Sequence, residues 1–439
     1  MSMRILLLIL AALPLAANAA DPESTCRTRS TEILEAVTSG NFDAATTHFD
    51  ARMQQALDAD KLRQVWEDML PAQFGAYLRA ADTTVTRDGG AVIATTPLEF
   101  ARGWLDMQVA CDAEGGIGGL FFKPGQAPAA STTSAAPGVV VQELAVDSPL
   151  GPLPGTLLLP AGKGPFPAVL LVAGSGPNDR DGTIGSNKPL RDIADALADK
   201  GIASYRYDKR TLVHGAAMAG KAITVDDEVT DDAVAALQLL SQQAQVDANR
   251  VFVLGHSLGG LMAPRIATRA PTTAGVILLA APVTLDLDTV LRQLRYIASI
   301  DPEQAEAGKD MMASIITARD ALAEADPAHP PAGEFFHAPA SYWLSLRSYD
   351  PIVTTRKLQQ PVLVLQGDRD YQVTPDNDFA VWKRAFHDDH RVTLKAYPTL
   401  SHLFMPAGDP PSPADYANAG HVDAQVLDDI TTWITRVTK

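Results

Sequence analysis

The run Val251-Phe252-Val253-Leu254-Gly255-His256-Ser257-Leu258-Gly259-Gly260 joins a short apolar strand to a serine set between two glycines. A helical stretch opens at Leu258. When a strand turns this sharply into a helix, the serine is forced into a strained backbone conformation that lifts its hydroxyl above the sheet. The flanking glycines follow, because larger side chains would collide in so tight a turn. The spacing alone arises by chance in roughly one chain in eight of this length, so its weight comes from the strand-turn-helix frame. Ser257 is the candidate nucleophile; the alternative is a structural glycine-rich turn.

Outward from this turn, strands alternate with helices, the pattern of a mainly parallel sheet covered on both faces. Val139 to Ala145 and Gly155 to Leu159 read as an opening antiparallel pair. The strand Ala168 to Ala173, a helix from Leu190 to Lys200 and the strand Ile202 to Tyr207 follow. Thr224 and Asp227 then cap an amphipathic helix carrying Val229, Ala233, Ala236, Leu237 and Leu240 on one face. After the strand Val276 to Leu279, a largely helical insertion of about residues 285–346 interrupts the alternation. It resumes with the strand Val362 to Leu365, a helix around Asp376 to Phe386, the strand Val392 to Ala396 and a last helix from His421 to Val437.

A serine hydroxyl needs a base within hydrogen-bond reach and an acid to orient that base. With a nucleophile of this kind the chain order is serine, acid, histidine. The strand Val362 to Leu365 ends in Gly367, and Asp368 and Asp370 compete for the acid's place. Asp370 is preferred, three residues beyond the glycine and three before Val373; Asp368 then reads as a turn residue beside Arg369. For the base, His402 lies in the loop directly after the strand Val392 to Ala396. His421 reads as a solvated residue opening the last helix, His387 and His390 precede the strand, and His256 reads as structural. Backbone N–H groups must meet the developing oxyanion. Leu258, after the nucleophile, and Ser175, in the turn Gly174-Ser175-Gly176-Pro177, are the expected donors.

The runs Gly174-Ser175-Gly176-Pro177-Asn178-Asp179-Arg180-Asp181, Tyr205-Arg206-Tyr207-Asp208-Lys209-Arg210, Gly255 to Gly260, and Tyr342-Trp343-Leu344 to Tyr349-Asp350-Pro351 make the chain similar to a bacterial exported esterase family. It lies within the α/β-hydrolases, close to the serine-aminopeptidase and prolyl-oligopeptidase-like branches. The resemblance spans about residues 139–439. It implies an α/β-hydrolase fold with a helical cap insertion, a triad of Ser257, Asp370 and His402, and hydrolysis of short acyl esters without a cofactor or metal. A small-molecule ester is the expected partner. A peptidase with the same triad and a non-catalytic binding protein on the same fold are the alternatives. Asp179, Arg180 and Asp181 read as a salt-bridged loop. Tyr342 and Trp343 read equally as walls of an acyl pocket or as core.

Before residue 139 the composition changes. Pro124 to Pro137 holds no large apolar side chain and reads as a linker, residues 124–138, after a small α+β domain of residues 21–123. In that domain helices around Ser30 to Ser39 and Leu62 to Met69 precede β-like runs, an order resembling the cone-shaped nuclear-transport-factor-like domains. Residues 1–20 combine Arg4, the apolar run Ile5 to Leu15 and Ala17-Asn18-Ala19, the anatomy of a cleaved secretory signal. Export, to the periplasm or beyond, is the expectation. It makes Cys26 and Cys111, the two cysteines of the chain, a disulfide candidate. With 52 acidic against 36 basic residues the chain repels phosphate backbones and anionic lipid. Nucleic-acid binding is therefore not expected, and because no other apolar stretch is long enough to span a bilayer, neither is integral membrane association.

Overall fold

The computed structural model describes residues 22–81, 83–88, 91–101, 103–112, 115–125 and 138–438, and falls into two units, Met1–Ser131 and Thr132–Lys439. The expected signal segment and residues 126–137 of the expected linker lie outside the described residues.

In the first unit the helix Pro22–Thr38 begins well before Ser30. Its buried stripe is Cys26, Ser30, Ile33 and Val37, at helical spacing. Half of that stripe is small or polar, which hid it from the hydrophobic pattern. Ser30 is satisfied in the interior by Thr96, hydroxyl to hydroxyl at 2.8 Å. Helical structure also continues past Pro71 to Phe74, directly after a π-helical turn, Gln64–Met69. Five antiparallel strands follow: β1 (Tyr77–Ala80), β2 (Thr84–Asp88), β3 (Ala91–Phe100), β4 (Gly103–Cys111) and β5 (Ile117–Gly125). The order is β1-β3-β4-β5, with β2 also on β3. Burial alternates along β3 and β4, and Leu98, Met107 and Val109 pack with Ile33 and Val37. Pro124 and Gly125, expected in the linker, close β5. Cys26 and Cys111 are bridged by a disulfide.

The second unit is built on an eight-stranded sheet. Its strands are β6 (Val140–Glu143), β7 (Gly155–Leu159), β8 (Phe166–Val172), β9 (Ala203–Tyr207), β10 (Val246–His256) and β11 (Gly275–Leu279), then β14 (Val362–Gly367) and β15 (Val392–Tyr397); the cap hairpin β12 (Glu334–Phe335) and β13 (Ala338–Pro339) lies between them in the chain. The order is β15-β14-β11-β10-β8-β9-β7-β6, antiparallel only at β6-β7 and β7-β9. Side chains from the two faces enter separate cores. Leu170, Val172 and Val253 pack under the helices Asp231–Ser241 and Leu258–Arg269, whereas Val169, Leu171, Phe252 and Leu254 pack against Pro189–Asp199 and Ala424–Val437. Both faces are dry, so these strands read as unbroken apolar runs.

The expected fold is an α/β-hydrolase, and this is its architecture. The insertion holds the helices Leu287–Ile300, Pro302–Ala307, Lys309–Leu322 and Ala340–Arg347, with the β12-β13 hairpin between the last two. The final helix starts at Ala424 rather than His421, with Asp423 as its N-cap, its side chain accepting from the Gln425 N–H. Pro264 lies beyond the first turn of Leu258–Arg269, and the helix runs on through it.

Candidate active site

Ser257 stands where β10 ends and the helix Leu258–Arg269 begins, with φ 55° and ψ −119°. A non-glycine residue rarely takes that conformation, and it costs on the order of 1–3 kcal/mol. The neighbours hold it there: the Ser257 N–H donates to the Leu279 carbonyl at 2.9 Å. A Cβ on Gly255 would lie 2.1 Å from the Gly259 carbonyl oxygen, and one on Gly259 would lie 2.4 Å from that of Val172. Both glycines are therefore dictated by contact, as the serine turn demanded.

Asp370 and His402 come together from the loops after β14 and β15. His402 Nδ1 donates to Asp370 Oδ2 at 2.6 Å, and both side chains are buried. The other carboxylate oxygen accepts the N–H groups of Gln372 and Val373 at 2.8 and 2.9 Å. The Asp370 carboxylate is thus fixed from both sides. Asp368 is exposed, and Arg369 turns from it to the Gly408 carbonyl and Asp409. His421 is exposed and meets Asp192 at 3.0 Å.

His256 is tied to His402. Its Nε2 donates to the His402 carbonyl at 2.8 Å, and the two rings lie 4.6 Å apart, centroid to centroid. Burial, seconded by the neighbouring His402 ring, pushes its pKa down to about 3. The residue as a whole is part-buried. The residue before Ser257 thereby anchors the loop that carries His402.

The loop after β8 lies against the serine. A Cβ on Gly174 would be 3.2 Å from that of Ser257, so a side chain there would crowd the serine. Ser175 is exposed, and Leu258 is the first residue of its helix, where an N–H has no acceptor within the helix. Two ionised residues that sequence reasoning gave no role hold this loop from beneath. Lys209 Nζ donates to the Gly174 carbonyl and to Glu228 Oε1, each at 2.6 Å, and Glu228 Oε1 also accepts the Gly176 N–H at 2.9 Å. Both are buried. Burial pushes the Glu228 carboxyl up, but Lys209, Tyr342 and the Gly176 N–H together hold it below its usual range. The signal for Lys209 lay within Tyr205 to Arg210, a run that carries the family resemblance. Glu228 was hidden among the acidic residues of a helix start; in the structure it sits on a π-helical turn, Asp226–Thr230, that precedes Asp231–Ser241.

The family model described as serine aminopeptidase, S33, matches residues 181–409, just over half of the chain. The chain is 34% identical to Esterase EstD of Thermotoga maritima over 406 residues, covering 92% of this chain and 94% of that protein. This chain belongs to the S33-like esterase family of α/β-hydrolases. A second family model, described as a protein of unknown function, matches residues 30–120. Among solved structures, the esterase domain of a Rhodothermus marinus protein is 20% identical with a TM-score of 0.41, covering 68% of this chain and 98% of that one. Est1E from Butyrivibrio proteoclasticus is 16% identical with a TM-score of 0.42, covering 67% and 97%.

Among the remaining motif residues of this α/β-hydrolase, Arg180 and Asp181 are ion-paired supports. Arg180 forks onto Asp208 at 3.0 and 2.9 Å and reaches Glu143, while Asp181 is held by Arg206 and Lys188. Asp179 bonds the N–H and hydroxyl of Thr183. Tyr342 is buried in the main core, and Trp343 Nε1 donates to the Phe335 carbonyl at 2.6 Å inside the cap. Thr211 bonds the Gly176 carbonyl at 3.0 Å. With Met218, Ile223, Pro331 and Ala338 it also lines a cavity of about 690 Å³ beside the loop. Among the described residues, no group of three or more His, Cys, Asp or Glu is placed to hold a metal ion, and no helix is long and apolar enough to cross a membrane.

Proposed function

We propose that the protein hydrolyses carboxylic esters through an acyl-enzyme, with Ser257 as nucleophile, His402 as general base and Asp370 as the acid that orients it. The observation that carries the reading is the 2.6 Å bond from His402 Nδ1 to a buried, fully engaged Asp370, in a chain whose serine is strained into the strand-to-helix turn. Because Nδ1 serves Asp370, Nε2 is the nitrogen left to take the serine proton. As Ser257 Oγ attacks the ester carbonyl, His402 becomes an imidazolium balanced by Asp370. The N–H groups of Leu258 and Ser175 receive the oxyanion, and the N-terminus of Leu258–Arg269 adds its positive dipole. The imidazolium then protonates the departing alkoxide. Water, deprotonated by the same nitrogen, releases the acid and restores Ser257.

Ester rather than peptide substrate is supported by the 34% identity to Esterase EstD over nearly all of that protein. A cavity whose volume lies in the range of small-molecule sites adjoins the loop of Ser175 through Thr211, which supports a small-molecule substrate. Export is part of the proposal, supported by the N-terminal pattern and the Cys26–Cys111 bridge.

The test compares nitrophenyl acetate and butyrate with aminoacyl nitroanilides, alongside labelling by a fluorophosphonate. Ester turnover at least tenfold above anilide turnover, and labelling lost in Ser257→Ala, are expected. Preferential anilide cleavage would assign a peptidase, and a folded wild type that takes no label would end the hydrolase reading.

A further inference from the structure

The Ser175 N–H and the Gly174 carbonyl belong to one peptide unit, which is planar, so they point in opposite directions. Whatever fixes the carbonyl oxygen also aims the N–H. That oxygen receives Lys209 Nζ at 2.6 Å, from the interior, with Asn178 Nδ2 at 3.2 Å as a further donor. An ammonium on the carbonyl also draws electron density from the same peptide and makes its N–H a stronger donor. Lys209 is itself held by Glu228, whose Oε1 pins the next N–H of the loop, that of Gly176.

This arrangement is anchored to the cap insertion. The Tyr342 side chain, from the cap helix Ala340–Arg347, lies buried close to Glu228, so that burial and then the carboxylate push the phenol pKa up. Two serines of that helix grip the segment leading to Glu228: Ser341 donates to the Ile223 carbonyl at 2.7 Å, and Ser345 accepts the Val225 N–H at 3.0 Å.

We infer that Lys209 and Glu228 are positioning residues that aim and polarise the Ser175 N–H toward the oxyanion, and that Tyr342 makes their placement depend on the cap. The inference rests on Ser257 being the nucleophile of the proposed hydrolase, but not on the substrate being an ester. A plain fold-stabilising ion pair would not need to reach both sides of Ser175. Nor would it need a hydroxyl from the insertion.

The experiment measures kcat and KM for nitrophenyl butyrate, and the second-order rate of fluorophosphonate labelling, in folded wild type, Tyr342→Phe and the charge-neutral double variant Lys209→Met/Glu228→Gln. Removing an oxyanion donor outright costs about 10²–10³ in kcat, which sets the ceiling for misaiming one. The double variant is expected to lose roughly 10–100-fold in kcat and in labelling rate, with KM within about twofold of wild type. Tyr342→Phe is expected to lose about three- to tenfold in both rates, and it decides alone if the double variant does not fold. Rates within twofold of wild type in the folded variants, even with lowered melting temperatures, would overturn the inference. A wild type that labels at Ser257 but turns over no ester would instead remove the ester reading, and labelling rates would still judge the positioning role.

Discussion

His256 and His402 meet ring against ring, and the Nε2–H of His256 is spent on the backbone carbonyl of His402. Burial holds His256 neutral, with its pKa down at about 3 against about 6.5 in an unfolded chain. Its contribution to stability is therefore complete above pH 6.5. Below that the unfolded chain binds a proton that the folded one refuses, and stability drains away until pH approaches 3. The slope from this group is at most ~1.4 kcal/mol per pH unit, less because the residue is only part-buried. Carboxylates contribute over the same range, so the readout is a difference. Urea midpoints of wild type and His256→Asn, taken from pH 7 to pH 4, are expected to converge as pH falls. Parallel curves would show that His256 carries no such linkage.

Asp370→Asn separates orientation from packing. The amide oxygen can still accept from Gln372 and Val373, as Oδ1 does now. What is lost is the acceptor that fixes Nδ1 as the protonated nitrogen of His402. The expected result is a fold of near-native stability with kcat lowered roughly 10⁴-fold. The Asp368→Asn control, at an exposed turn position, is expected to stay within twofold of wild type. If Asp368→Asn is the damaging change instead, the acid has been misassigned.

The sequence disclosed the parts of this site that are fixed by covalent geometry. Gly255, Ser257 and Gly259 declare a turn that few other residues can make, and Asp370 and His402 follow from where the strands before them end. It did not disclose Glu228, because its role depends on Lys209 reaching it from another strand end, and an acidic residue in a first helical turn already has a local explanation. The same reason concealed His256, whose partner is a backbone atom far along the chain. In the first unit, β5 escaped notice because Gly118 and Gly119 interrupt its pattern, and Cys26 and Ser30 disguised a buried helical face. Contacts made by backbone or by small residues leave no hydrophobic period to read.

Arg210 and Asp232 form a two-point ion pair, at 2.9 and 2.5 Å, with both side chains buried. Removing one partner strands the other charge in the interior. Asp232→Ala is expected to cost about 3–5 kcal/mol in urea unfolding, and the paired change Arg210→Met/Asp232→Leu to recover most of it. A loss below about 1 kcal/mol for the single variant would mean that water reaches the guanidinium despite its burial.

Cys26 and Cys111 close a loop across 85 positions, joining the first helix to the last residue of β4. In the chain-entropy account, a loop of that length restrains the unfolded state by about 4.6 kcal/mol. The unit it closes is small, with one core made by Ile33, Val37, Leu98, Met107 and their neighbours, and domains of this size have little stability to spare. Cys26→Ala/Cys111→Ala is expected to lower the first unit's unfolding midpoint and to open residues 22–125 to limited proteolysis. The second unit keeps its own two cores, so its unfolding transition should stay where it is. The check is differential scanning calorimetry of both proteins with mass spectrometry of the proteolytic fragments. If the two traces coincide and the fragments do not change, the bridge contributes nothing to the first unit.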